Sequence, residues 1–490
     1  PICIVDSNKL QKHNITFRET ASFFNDRLKL DGNASLMTQT IRNTPAGGGY
    51  YLNPLVGLYS FPRGADLAPY AENFEVFDTD RNMNLQNWYT KNEDGSFSEW
   101  DQNPYWIKNR VTNKSKRYRA LASISANLKA TDWLSFQARG NVDYVSDKFD
   151  NKMYASTAAN IAGKNDETGL PNGRYVWSDE QNFQVYGDFM AMFNKTLGDF
   201  SINAALGTSI NVSKANSLMI DSKTASLYRP NVFTVSNIIF SSKGFINQTI
   251  DAKRTIQSLF GTAQVGWKDA LYLDVTARND WSSALAFTES CSFFYPSFGG
   301  SVLLNKFVDM GKNIDLFKFR ASYSIVGNDV PVFMSNLLYS LGSQGAITPP
   351  DKAPFRTLKP EKTHSLEIGF DGTFLQNRLN INLTYYKTNT KNQFFSVAAP
   401  YESGLRNRYV NAGNVENKGF EFSIGWYEQF TDHFSWSTNL NFSYNDNKIK
   451  ELVEEQIFNV DEITEVNDVS IEIDSLKRSA VIRYEAVTDE

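Results

Sequence analysis

The chain has 490 residues, of which 14% are aromatic with 36 Phe and 23 Tyr, and carries a formal net charge of -5 with a negative mean hydropathy. No apolar run approaches the roughly 18 residues of a transmembrane helix, and the lack of a basic excess argues against a nucleic-acid partner. Two cysteines, Cys3 and Cys291, are too few for a disulfide framework or a structural zinc site and read as free, buried thiols.

In chain order, apolar residues alternate with polar ones in pairs of segments joined by short turns. Ile15, Phe17, Ala21 and Phe23 lead through Asn25-Asp26-Arg27 to Leu28, Leu30, Ala34 and Leu36, which predicts a β-hairpin. The unit recurs from Ala122 to Leu128 with Leu134 to Tyr144, from Phe189 to Phe193 with Phe200 to Ile210, and from Leu259 to Trp267 with Leu271 to Ala277. Three more follow: Phe298 to Leu304 with Phe317 to Ile325, Leu366 to Phe374 with Leu379 to Tyr385, and Phe420 to Trp426 with Phe434 to Tyr444. The reading is about seven hairpins, or roughly 14 strands of about 7 to 11 residues, close to the length of a tilted strand crossing an outer membrane.

Turns within the hairpins are short, whereas the stretches 40–116, 146–182, 212–253 and 327–362 run to tens of residues. Short connections on one side and long ones on the other are a transmembrane-barrel pattern. Face composition agrees: Phe434, Trp436, Leu440 and Phe442 alternate with Ser435, Ser437, Asn439 and Asn441, as expected for a lipid-facing and a wet face. Leu271, Leu273 and Val275 are likewise assigned outward, and Asp274 and Arg278 form a lumen-facing pair. Trp133, Trp267, Trp281, Trp426 and Tyr427 stand at strand ends, where interfacial girdles lie. The expected fold is an all-β, antiparallel up-and-down transmembrane barrel with simple neighbour pairing.

Several stretches resemble a known family. YLDVTARNDWSS (Tyr272 to Ser283), SFFYPS (Ser292 to Ser297), LKPEKT (Leu358 to Thr363), YVNAGNVENKGFEF (Tyr409 to Phe422) and NPLVGLYSFPR (Asn53 to Arg63) are similar to the SusC/RagA family of TonB-dependent outer-membrane transporters. The resemblance implies a barrel of about 22 strands with a plug inside it. It also implies uptake of an oligosaccharide or peptide with a SusD-like surface lipoprotein, and energy from the TonB complex. No plug precedes residue 10, and about 14 strands are visible, so the expectation is a partial chain covering the middle of the barrel, with plug absent and first and last strands unpaired. Its divisions are an N-terminal remnant at 1–12, a barrel portion at 13–447 and an acidic tail at 448–490.

Within the first long connection, NWYTKNEDGSFSEWDQNPYW places Trp88, Tyr89, Trp100, Tyr105 and Trp106 together; flat rings suit sugar or peptide contact, or form the small core of a long loop. Pro45-Ala-Gly-Gly-Gly49 reads as a flexible or tightly turning lead into it. His13, His364 and His433 are isolated and read as structural, with no metal-ligand spacing. No phosphate-cradling loop, nucleophile elbow or CxxC occurs, and no cofactor is expected. Partners are outer-membrane lipid and those the resemblance implies. A passive outer-membrane porin and a soluble carbohydrate-binding β-protein are the alternatives to TonB-dependent import; an enzyme is not expected.

Overall fold

The computed structural model describes residues 8–451 except 45–51, 94–95, 164–170, 224–225, 241–244, 289, 336–338, 342–344, 346, 349, 351, 354–357 and 400–404. Cys3, the 45–49 segment and the acidic tail beyond Glu451 thus lie outside the described residues. One sheet of 15 strands dominates. Fourteen of them are long: β1 Lys9–Phe23, β2 Leu28–Arg42, β3 Val111–Lys129, β4 Leu134–Met153, β5 Arg174–Leu197, β6 Phe200–Asp221 and β7 Phe245–Trp267. They continue with β8 Leu271–Ser282, β9 Ser292–Leu303, β10 Ile314–Asn328, β11 Glu361–Phe374, β12 Leu379–Ala398, β13 Asn407–Thr431 and β14 Phe434–Glu451. The fifteenth, Lys352–Ala353, lies parallel against Asn407 and Arg408 of β13.

Each long strand pairs antiparallel with its sequence neighbours, the up-and-down order expected of hairpins added in series. All seven sequence-predicted hairpins form. The turn chemistry explains the register: Lys268 and Asp269 adopt φ of 53° and 51°, and Leu375, Gln376 and Asn377 are also left-handed. Two successive residues at positive φ give a turn whose twist matches that of the flanking strands. Asn and Asp tolerate this conformation better than most side chains, and Asn25 and Asp26 do the same in the first hairpin. Once a turn is fixed, the ladder is fixed with it, as where Leu271 pairs with Trp267 and Arg278 with Phe260.

The faces fall as the alternation predicts. Leu271, Leu273 and Val275 are exposed, while Asp274 and Arg278 on the opposite face are half-buried. On β14 both faces are open because it is an edge strand, so exposure alone does not separate Phe442 from Asn441. Register does: Phe442 pairs with Phe422 and Asn441 with Ser423.

Three expectations need correction. Strands run from 12 to 25 residues, longer than the alternation suggested. Beyond the apolar band both faces are polar, as in Ser178-Asp179-Glu180-Gln181-Asn182 of β5, so the periodicity vanishes. The ladder continues because each backbone donor and acceptor still needs a partner. The long connections at 146–182 and 212–253 therefore shrink to 154–173 and 222–244, and the boundaries at 12/13 and 447/448 fall inside β1 and β14. Cys291 is free but exposed rather than buried.

The strand wall has no continuous core of its own; its buried apolar clusters lie under the long connections. Leu285, Val330 and Leu358 pack with Phe293 and Tyr295 in one, and Leu227 and Ile238 with Tyr175 and Ile220 in another. Among the described residues β1 pairs only with β2, and β14 only with β13, so the wall is open.

Adjacent residues of β8 test the faces. Val275→Arg, on the apolar face at mid-strand, is expected to lower the stability of the full-length protein in lipid vesicles by about 2–4 kcal/mol, read from its denaturant midpoint. Thr276→Arg, on the polar face, is expected to cost much less; equal losses would invert the assignment.

Candidate functional site

Asp274 and Arg278 share the polar face but do not pair with each other. Asp274 accepts a hydrogen bond from Gln264 Nε2 at 2.7 Å, while Arg278 donates from Nε to Asp280 at 2.7 Å and from Nη2 to Ser258 Oγ at 2.7 Å. The sequence missed the row that Arg278, one register step below it, holds through Asp280 and Ser258. Following the register across eight strands gives Thr20, Asp31, Ser125, Arg139, Asp188, Ser209, Ser258 and Asp280 in one transverse row, polar at every position.

The charged members of the row are all ion-paired. Asp31 accepts from Arg18 Nε at 2.9 Å and Thr20 Oγ1 at 2.8 Å, and Arg139 holds the fully buried Asp188 carboxylate at 3.0 Å. Further pairs stand on the same face: Arg117 with Asp147 at 2.7 Å, Arg174 with Asp221 at 2.8 Å, and Arg320 with Asp371 at 3.5 Å. Partly exposed pairs of this sort each contribute about 0–1 kcal/mol, so they add little to the stability of the sheet. What they do is hold charge in a fixed arrangement on the inner surface. Their guanidinium and carboxylate groups can exchange partners with a polar solute, as the Ser and Asn side chains between them can.

The connection between β2 and β3 folds into a cap at one end of the wall. Asn53 accepts from Leu55 N at 3.1 Å to start α1 (Pro54–Ser60), and Asn103 caps α3 (Pro104–Arg110), with α2 (Ala68–Glu72) between them. Both caps precede proline at the first helical position, where its missing N–H costs nothing. Asn103 is fully buried and cross-links the cap, donating to Tyr70 O at 2.9 Å and Asn87 O at 2.7 Å while its own N–H reaches Gln86 Oε1. Gly57 is required by close approach: a Cβ there would sit 2.1 Å from Gln102 O.

The aromatic residues singled out from the sequence separate within this cap. Trp106 is 1% exposed and donates to Thr157 Oγ1 at 3.0 Å, and Trp88 is 4% exposed and donates to Asp101 Oδ1 at 2.8 Å. Both are core residues of the cap, with Trp88 in a nest of rings formed by Phe61, Tyr70 and Tyr89, so neither presents a face to a ligand. Tyr105 is half-buried. Trp100 is 55% exposed and Tyr89 37%. Burial, and next the Asp101 carboxylate, hold the Tyr89 phenol above its ordinary pKa, and its hydroxyl donates to Ser60 O at 3.3 Å. Tyr59, which the sequence reading missed, is 85% exposed at the end of α1; an apolar helix too short to bury both its sides was the available signal.

A family description, TonB dependent receptor-like, beta-barrel, matches residues 41–475, a span that runs past the last described strand into the acidic stretch. A TonB-dependent receptor of Formosa agariphila is 27% identical over 384 residues, covering 74% of this chain and 37% of the relative. TonB-dependent receptor SusC of Bacteroides thetaiotaomicron is 23% identical over 491 residues, covering 92% and 44%. The solved structure of the RagAB peptide transporter superposes with a TM-score of 0.71 at 18% identity, over 91% of this chain and 47% of that one. The chain thus spans less than half the length of these relatives. An apolar outer face, an ion-paired inner face and serial antiparallel strands, taken with the 41–475 match, place the chain in the TonB-dependent receptor β-barrel family, as part of a transmembrane wall in the outer membrane.

Proposed function

We propose that this chain is the wall and loop portion of an importer that draws an oligosaccharide or peptide through the outer membrane with energy supplied through TonB. A SusD-like lipoprotein would close over the loop side. The observation that carries the reading is the transverse polar row from Thr20 to Asp280 on the face opposite the apolar band. A lumen lined with fixed Arg–Asp pairs and short polar side chains can exchange hydrogen bonds with a hydroxyl- or amide-rich solute. The RagAB neighbour, a peptide transporter, supports the peptide class, and the oligosaccharide class and the lipoprotein partner rest on the SusC/RagA resemblance of the sequence. A passive pore of about 14 strands would need its first and last strands hydrogen-bonded to each other, and among the described residues they are not.

Deleting the gene in its host and following growth on single oligosaccharides and peptides tests the reading. Growth is expected to fail on one such nutrient and to be restored by the full-length gene. Uptake of that nutrient is expected to stop when a protonophore collapses the energy supply; uptake that persists would establish a passive pore.

The cap residues divide in the same assay. Trp100→Ala and Tyr59→Ala in the full-length receptor are expected to weaken binding of the identified nutrient by about ten-fold, or roughly 1.4 kcal/mol each, with the cap still resistant to protease. Trp106→Ala is expected to make the cap protease-sensitive, since removing a buried Trp side chain costs about 3–5 kcal/mol. Unchanged binding in both exposed-ring variants would remove the cap from the substrate path.

A further inference from the structure

The outer face changes character abruptly toward the loop end of β11 to β14. From the short-turn end, β12 presents Leu379, Ile381, Leu383 and Tyr385 outward, and β13 presents Trp426, Ile424, Phe422 and Phe420. One register step further the outward row is Lys387, Lys418 and Asp446; the next is His364, Asn389, Glu416 and Lys448; the next carries Lys362, Lys391 and Asn414. With Lys450, six lysines face three carboxylates, Glu416, Asp446 and Glu451.

Ion pairing leaves part of that charge free. Glu416 binds Lys387 at 3.1 Å and Lys450 at 3.3 Å, and Asp446 lies 3.2 Å from Lys448 and 3.9 Å from Lys418. Among the described residues Lys362 and Lys391 have no carboxylate partner. Lysines 387, 391 and 450 line a recess of about 570 Å³ together with Glu416, Leu366 and His364, whose Nδ1 lies 2.8 Å from Tyr323 Oη. Glu416 holds Lys387 and Lys450, and Lys391 is the lining cation with no carboxylate partner among the described residues. The contrast with the inner face is chemical. Most of the inner ion pairs join an arginine to an aspartate, whereas the six cations of this patch are lysines, compact charges suited to a phosphate.

The height of the patch identifies its neighbour. Eight residues of tilted strand separate Leu379 from Lys387, a rise of roughly 20 Å along the membrane normal, so Lys387 stands at the far edge of an apolar band about 25 Å tall. Tyr385 and Tyr444 are exposed one register step beneath Lys387, and exposed Tyr323 stands in the row of Lys387 itself, as in an aromatic girdle. A second basic group recurs on the same face of β2 to β4, where Arg42 pairs in register with Lys114 and Lys116 with Lys148, again above exposed Tyr118 and Tyr144. Both groups face sideways on the loop side of the apolar band, where the headgroups of that leaflet lie.

We propose that the surface formed by Lys362, Lys387, Lys391, Lys418 and Lys450 binds the phosphate groups of an anionic glycolipid in the outer leaflet, anchoring the wall at that height. The recess takes the headgroup while the apolar band beneath packs against its acyl chains. The proposal rests on the outer-membrane location and the geometry, and does not depend on what the protein imports.

Detergent-purified full-length receptor, made in a strain with phosphorylated lipopolysaccharide, tests it by native mass spectrometry and phosphorus analysis of retained lipid. The wild type is expected to keep phosphate-bearing glycolipid through detergent exchange. The K362Q/K387Q/K391Q variant is expected to retain about ten-fold less, and the equally charge-reduced K195Q/K268Q/K312Q variant, altered at the short-turn end, to retain it fully. Lys391→Gln alone, at a side chain with no partner to lose, is expected to lower retention measurably even if the triple variant fails to fold. Equal retention in the wild type and the Lys391→Gln variant would overturn the proposal. So would release of the lipid by millimolar inorganic phosphate, which would indicate a free-anion site, or an altered oligomeric state in the triple variant with lipid unchanged, which would indicate a self-association surface.

Discussion

Everything in this molecule depends on pairing the backbone. In hydrocarbon an unpaired N–H or C=O costs several kcal/mol with no water to relieve it, so a chain that crosses by strands must keep its ladder unbroken from one interface to the other. That requirement fixes the period of two, and the period of two divides the side chains into faces before any packing is considered. Val275 and Thr276 are neighbours in the chain yet meet different solvents. The stability of the wall comes from its ladder and its contact with lipid, and its buried clusters lie under the loops, where water returns.

Pairing also explains how much of the fold could be read from the sequence. All seven hairpins were legible because each alternating segment lies near its partner and a turn such as Lys268-Asp269 sets the register. The upper parts of the strands were not. In Asn411 to Lys418 of β13 polar residues occupy both faces, and only the neighbouring strand shows that the ladder persists there.

The site was less legible for a related reason. Thr20 opposite Asp31 follows from the first turn, but Ser125, Arg139, Asp188 and Asp280 join them through strands separated by long connections whose length says nothing about register. A transverse row is invisible along any single strand. In the cap, composition marked the ring cluster correctly, yet Trp88, Trp100 and Trp106 have the same chemistry in sequence. What sorts them is the tether made by Asn103, Gln86 and Thr157, which draws Trp106 inward and leaves Trp100 outside.

The two faces solve different electrostatic problems, and the choice of cation follows. On the inner face charges stand close together above a wet lumen, and a planar guanidinium binding a carboxylate through two donors keeps each pair in place, as Arg117 does with Asp147. Lys318, which faces inward beside Arg320, makes only one long contact with the same Asp371, at 3.8 Å. On the outer face, just above hydrocarbon, a long flexible stem is the advantage: it lies along the apolar surface and lifts its ammonium to the headgroups. Such lysines can tolerate a height mismatch that a rigid fork cannot, so the same strands hold a fixed pattern of charge inside and an adaptable one outside. The backbone ladder permits both because successive residues never share a face.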